Sequence, residues 1–132
     1  IKEFIKRENL ASYIKFHGAI LHEKVCEEMK KNHILFFPSL RDSGGFVLFE
    51  AMSVGLPSLI LKLGGPANII DNNCGIIIDP QNKSQQYLVD EICEKFYELA
   101  DDENKLKKFS NNCQSRIKLF SWKSKIANVY GK

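Results

Sequence analysis

Short apolar runs alternate with amphipathic stretches over the first eighty residues, the pattern of a parallel sheet covered by helices. Residues 2–9 read as a helix, Tyr13–His17 as a strand ending at Gly18, and Leu21–Lys31 as a second helix. A buried strand is expected over His33–Phe37, stopped by Pro38 and Ser39. A turn, Asp42–Gly45, then leads into a helix from Phe46 to Val54, with Gly55 suited to its C-terminal cap and Pro57 preventing its continuation. Ser58–Leu61 reads as a third strand, Gly64–Gly65–Pro66 as the start of a short helix, and Gly75–Asp79 as a fourth strand. Beyond Pro80 the strands stop. Leu88, Ile92, Phe96 and Leu99 recur at helical spacing, as do Leu106, Phe109, Cys113 and Ile117. Asp101–Asp102, between these two helices, reads as an N-terminal cap in preference to a metal-binding pair. Phe120–Trp122 bends the chain into a last helix carrying Ile126 and Val129. The predicted class is α/β: an open parallel sheet of four strands flanked by helices, with a helical C-terminal tail.

Composition narrows the class of protein. The 132 residues, 44% hydrophobic and 27% charged, suit one globular domain and exclude a disordered tail, a collagen-like repeat or a coiled coil. No apolar run approaches the roughly 20 residues that span a bilayer. The chain opens on Ile1 with no leader pattern, so it reads as a piece of something longer. Net charge is +3 but uneven: residues 1–103 hold 11 basic and 16 acidic side chains, whereas residues 104–132 hold eight basic and none acidic. That tail suits a solvated helix face, with an anionic membrane or ligand phosphates as the sharper alternatives. It lacks the aromatic platform of a nucleic-acid binder. Cys26, Cys74, Cys93 and Cys113 are widely spaced and show no metal-ligand pattern. Buried free thiols in a reducing compartment are expected, with Cys93 and Cys113 at core positions of their helices.

In an open parallel sheet, ligands bind beyond the carboxyl ends of the strands, which directs attention to the turns after Phe16, Phe37, Leu61 and Ile78. The segment Pro38–Gly55 reads PSLRDSGGFVLFEAMSVG. Backbone N–H groups at Gly44, Gly45, Phe46 and Val47 would point out of the helix start, where they and the helix dipole favour an anion such as phosphate. The helix they open is apolar nearly all round, so the carboxylate of Glu50 requires a partner or a cleft. None stands at i±3 or i±4, where Phe46, Val47, Ser53 and Val54 lie. A distant structural ion pair remains open as an alternative to a ligand. Asp42 and Glu50 together could flank a diphosphate.

At this point the chain resembles a known family. The context P-S-x-x-[ED]-x-x-G-F-x-x-x-E-A-M-x-x-G-x-P, with two acidic residues separated by seven, is similar to the hallmark of the large retaining glycosyltransferase family with the GT-B fold. Phe16–His17–Gly18 resembles that family's strand-end F-x-G. LKLGGP at Leu61–Pro66 resembles its G-G helix start, CGIIIDP at Cys74–Pro80 its N-G-x-L-V-x-P, and Phe120–Trp122 the F-S-W before the final helix. The resemblance covers nearly the whole chain and the motifs fall in the family's order. It implies one half of a GT-B fold: the C-terminal Rossmann-like domain that binds a nucleotide diphosphate sugar, UDP- or GDP-linked, for transfer to a hydroxyl acceptor with retention and without an obligatory metal. Polysaccharide or glycolipid synthesis is implied, in the cytoplasm or at the inner membrane face, with a lipid-linked acceptor among the alternatives. The partner domain, an N-terminal Rossmann-like unit of the same polypeptide, is expected upstream of Ile1, and this chain alone is expected to bind donor weakly and transfer nothing.

By the same resemblance, Glu50 would hold the ribose hydroxyls and Asp42 the hydroxyls of the donor sugar. The amides of Gly44, Gly45, Phe46 and Val47 would meet the sugar and distal phosphate. Gly18 would border the diphosphate or base, Ser39 and Leu40 the base, and Gly64 and Gly65 would form a further turn beside the donor. Three departures stand out. Asp42 replaces the usual Glu and is one methylene shorter, Asn68 stands where an acidic residue is common, and the Arg and Lys that clamp the diphosphate lie upstream of the chain, with Lys15 and Arg41 poor substitutes by position. His17 is weighed as a base or a packing residue, with packing preferred, and His22 and His33 receive no role. A paired-carboxylate hydrolase is disfavoured by the glycine-rich helix start between the acids. A non-catalytic nucleotide- or partner-binding α/β domain remains the alternative class.

Overall fold

The computed structural model describes residues 1–121 together with Lys123 and Ile126. Its elements run α1 (Lys2–Arg7), α2 (His22–Lys30), β1 (Leu35–Phe37), α3 (Phe46–Ser53), β2 (Ser58–Leu61), α4 (Pro66–Ile69), β3 (Gly75–Ile78), α5 (Gln85–Ala100), α6 (Glu103–Arg116) and a 3-10 turn, Ile117–Phe120. The expected closing helix, with Trp122 and Val129, lies outside the described residues. The strands form one parallel sheet in the order β1-β2-β3, with Phe36 opposite Leu59 and Leu59 opposite Ile76.

Strand β2 is central and buried at every position, which is why Leu59–Leu61 is a continuous rather than alternating apolar run. Its residues still alternate between two layers. Ile60 packs with Leu48 and Met52 of α3, Ile69, Cys74 and Cys113 of α6. Leu59 and Leu61 pack on the other side with Ile78, under Leu88, Ile92 and Phe96 of α5. The helical spacing seen in α5 therefore corresponds to a real stripe against the sheet. A third cluster joins Met29 of α2 to Ala51 of α3 and to Leu56.

Local chemistry sets the helix ends. The Ser84 hydroxyl accepts from the Tyr87 N–H at 3.2 Å and starts α5, and the Asp102 carboxylate accepts from the Lys105 N–H at 2.8 Å and starts α6. Asp102 thus caps a helix, as its position suggested. At the end of α3, Gly55 takes φ +75°, its N–H bonding the Met52 carbonyl at 3.0 Å while the Leu56 N–H bonds Ala51 at 2.9 Å. This left-handed ending turns the chain directly into β2.

Two expectations fail. Tyr13–His17 is not a strand: no ladder among the described residues includes it, and Tyr13, Ile14 and Phe16 are exposed. The segment instead follows a turn in which the Tyr13 N–H bonds the Leu10 carbonyl at 3.0 Å. Apolar side chains alone do not make a strand without a neighbour to complete its backbone hydrogen bonds. Cys93 is exposed, whereas Cys74 and Cys113 are buried and Cys26 is half-buried, all four as free thiols. The stripe Leu88–Ile92–Phe96 points at the sheet, so the residue after Ile92 is rotated about 100° away from it. Cys113 Sγ donates to the Cys74 carbonyl at 3.2 Å, and its hydrogen bond with Cys74, together with burial, pushes its thiol well above the ordinary range.

Among the described residues, no helix is long and apolar enough to cross a membrane. Ser58 is fully buried, and its hydroxyl has no hydrogen-bond partner among the described residues. An unsatisfied buried hydroxyl costs free energy, so Ser58→Ala is expected to be neutral or stabilising by up to about 1 kcal/mol. Urea unfolding of the two proteins measures this directly, and a clear loss of stability would show that the hydroxyl has a partner.

Candidate functional site

Because the three strands are parallel, the chain leaves all of them at one edge of the sheet. After β1 comes the segment Pro38–Gly45, after β2 Lys62–Gly65, and after β3 Asp79. The last two are tied together: Lys62 Nζ lies 2.9 Å from Asp79 Oδ2 and its backbone N–H donates to the Ile78 carbonyl at 2.8 Å.

The first two turns touch. Gly65 donates its N–H to the Asp42 carbonyl at 3.2 Å, and a Cβ placed at Gly65 would run into the Ser43 carbonyl. Only glycine permits this approach. Gly45, the N-cap of α3, sits at φ +56°, and a side chain there would meet Ile69 and Leu48. The Asp42 side chain organises the turn, its Oδ1 accepting the N–H groups of Gly44 at 2.8 Å and Gly45 at 2.6 Å.

The amides of Gly44 and Gly45 donate to the Asp42 carboxylate in this structure. Those of Phe46 and Val47, the first of α3, have no recorded acceptor among the described residues. The turn's use of Oδ1 fits the shorter side chain, which reaches back to its own backbone. Asp42→Ala should then destabilise the protein by about 1 kcal/mol, as loss of a cap does, while Asp42→Asn, which keeps the acceptor oxygen, should cost clearly less. Denaturant midpoints of the two variants provide the comparison, and equal losses would assign the effect to charge instead.

The helix beyond the turn is not buried all round. Leu48, Ala51 and Met52 are buried and Val47 is half-buried, but Phe46 is 76% exposed, and a Cβ on Gly44 would sit 3.0 Å from its ring. Phe46 therefore lies over the glycine turn. Ser39 is half-buried and Leu40 exposed, both between the end of β1 and Asp42. Gly64, at φ +55°, is exposed beside Gly65.

Glu50 stands in the second turn of α3, about one-third exposed. It does have a partner: His22 Nε2, at the start of α2, lies 3.0 Å from Glu50 Oε1. The sequence carries no local signal for this contact, because the two residues are 28 positions apart and meet only when α2 packs on α3 through Met29 and Ala51. The carboxylates thus share a feature. One oxygen of each is held by the protein, and for the other, Asp42 Oδ2 and Glu50 Oε2, no protein partner is recorded among the described residues.

Gly18 is not gathered into this arrangement. With φ +65° it lines a separate groove of about 450 Å3, with Lys15, His17, Val25 and Glu28, that the Asp42 turn does not border. His17 Nε2 lies 3.9 Å from Glu28 Oε2 in that groove, consistent with a packing role. Among the cations of residues 104–132, Lys105 pairs with Glu98, Lys107 with Glu103 and Arg116 with Asp71, so part of the basic tail is engaged within the fold. Among the described residues, no three His, Cys, Asp or Glu side chains are grouped as a metal site.

An open parallel sheet flanked by helices, with two interlocked glycine turns and a helix start at its carboxyl edge, is a Rossmann-like α/β arrangement. The chain belongs to the glycosyl transferases group 1 family, whose model matches residues 1–116. It is 28% identical over 130 residues to an uncharacterised glycosyltransferase of Methanocaldococcus jannaschii, covering 98% of this chain and 35% of that protein. It is also 31% identical over 119 residues to a sucrose synthase of Beta vulgaris, covering 84% of this chain and 15% of that protein. Among solved structures, a sucrose-phosphate synthase from Thermosynechococcus elongatus superposes with a TM-score of 0.75 at 24% identity, over 98% of this chain and 32% of that one. The fold is that of one Rossmann-like half of a GT-B glycosyltransferase, and the chain spans about a third or less of the length of these relatives.

Proposed function

We propose that this chain is the donor-binding domain of a retaining glycosyltransferase that takes a sugar from a nucleoside diphosphate and places it on a hydroxyl acceptor. The observation that carries the reading is the pair of carboxylates at the sheet's carboxyl edge, each with one oxygen held and one open, on either side of the start of α3. Glu50 Oε2 accepts from the ribose hydroxyls. Asp42 Oδ2 is the acceptor for a hydroxyl of the donor sugar. The amides of Phe46 and Val47 and the dipole of α3 face the distal phosphate, with Gly64 and Gly65 walling the same side. Ser39 and the exposed Leu40 flank the base.

The bond from the anomeric carbon to the leaving phosphate oxygen breaks, the bond to the acceptor oxygen forms on the same face, and the acceptor's proton passes to the departing diphosphate oxygen. The charge that develops on the diphosphate is stabilised by amides and by cations, the latter contributed by the N-terminal Rossmann-like half of the enzyme or by residues preceding Ile1. A polysaccharide or lipid-linked acceptor, and work in the cytoplasm or at the inner membrane face, complete the reading. Free thiols and the basic residues of the C-terminal segment support that location.

Titration of UDP and GDP followed by amide NMR tests the assignment. Shifts are expected at residues 39–50 and 64–68, with smaller ones at 16–22. Shifts confined to residues beyond 103 would overturn it.

A further inference from the structure

We propose that His22 is a positioning residue of the donor site, holding the Glu50 carboxylate in the orientation that receives a ribose diol. The inference rests on the preceding assignment of Glu50 and adds a residue to it. The geometry is specific. His22 Nε2 is 3.0 Å from Glu50 Oε1, and among the described residues it is the recorded partner of that carboxylate, with no Lys or Arg pairing it. On α3 itself Ser53 engages only the Glu50 backbone carbonyl, at 2.7 Å.

The two side chains meet at the seam between α2 and α3. That seam is fixed by Met29, Ala51 and Leu56 packing with Val25 and Val47, so the distance is set by apolar packing rather than by the polar pair. A glutamate has three side-chain torsions, and a vicinal diol needs a carboxylate whose plane and open oxygen already face it. Tying Oε1 to the imidazole N–H fixes both and leaves Oε2 for the ligand. His22 is 69% exposed at its side chain, so it borders the same solvent-open face on which the ligand would lie.

The test uses the full-length protein and calorimetric binding of UDP and GDP alongside their 2′,3′-dideoxy counterparts. For the nucleotide that binds, His22→Phe should raise Kd about fivefold while leaving the dideoxy form unchanged. His22→Gln, which restores an N–H donor, should recover most of the loss. Equal weakening of ribo and dideoxy forms, or none of either, overturns the proposal. Glu50→Gln separates the two levels. If that variant leaves ribonucleotide binding intact, the assignment of Glu50 itself fails. If it weakens binding while His22→Phe does not, only the role of His22 fails.

Discussion

Glu50→Ala is expected to reduce kcat/KM for sugar transfer by the full-length protein at least a hundredfold. Hydrogen bonds to a charged acceptor contribute roughly 1.5–3 kcal/mol each, and a carboxylate that accepts two ribose hydroxyls loses both at once. Two such bonds correspond to about 10² to 10⁴ in affinity or rate. Glu50 is only half-buried and its departure opens no core cavity, since the neighbouring positions that fill the core are Leu48, Ala51 and Met52. The variant should therefore unfold at nearly the same denaturant concentration while losing donor binding. Donor Kd and kcat/KM measured beside an unfolding curve distinguish this from a folding defect. Unchanged transfer would refute the assignment of Glu50.

The second large effect is expected at Gly65. Its added Cβ would collide with the Ser43 carbonyl and approach the Gly44 nitrogen, both backbone atoms of the Asp42 turn. Backbone cannot swing aside as a side-chain tip can. Gly65→Ala must shift one turn against the other and break the Gly65–Asp42 hydrogen bond. A stability cost of about 1–3 kcal/mol follows from overpacking, with donor affinity falling more than tenfold because the open oxygen of Asp42 moves with its turn. Gly18→Ala is the contrast, since a Cβ there meets nothing within 4 Å and the cost is confined to a positive φ in an exposed loop. Parallel thermal melts and nucleotide titrations of both variants check the difference, and equal behaviour would mean that the turns are not interlocked.

Much of this was legible in the residues. Gly55 and Pro57 mark the end of α3, Asp102 the start of α6, and the apolar run Leu59–Leu61 the buried central strand, because each reflects chemistry confined to a few neighbouring positions. The strand expected at Tyr13–His17 was not realised, because a strand exists only by pairing and pairing is a property of distant segments. Cys93 is exposed because it lies a single helical step from the Leu88–Ile92–Phe96 stripe, a rotation that apolar spacing alone does not resolve. In the site, the residue types and spacing of Asp42 and Glu50 were visible along with the glycines. The use of Asp42 Oδ1 by its own turn and the approach of His22 to Glu50 were not, since one depends on side-chain reach and the other on the packing of α2 against α3.

The half-engaged state of the two carboxylates bears on the entropy of ligand capture. Immobilising a free, rotamer-rich side chain on binding costs about 0.5–1.5 kcal/mol. With Asp42 fastened to the Gly44 and Gly45 amides and Glu50 to His22, that ordering is already completed during folding, so an incoming ligand meets two acceptors that need not stop moving first. Cutting either fastening would make nucleotide binding entropically less favourable even where the contacts in the final complex are unchanged.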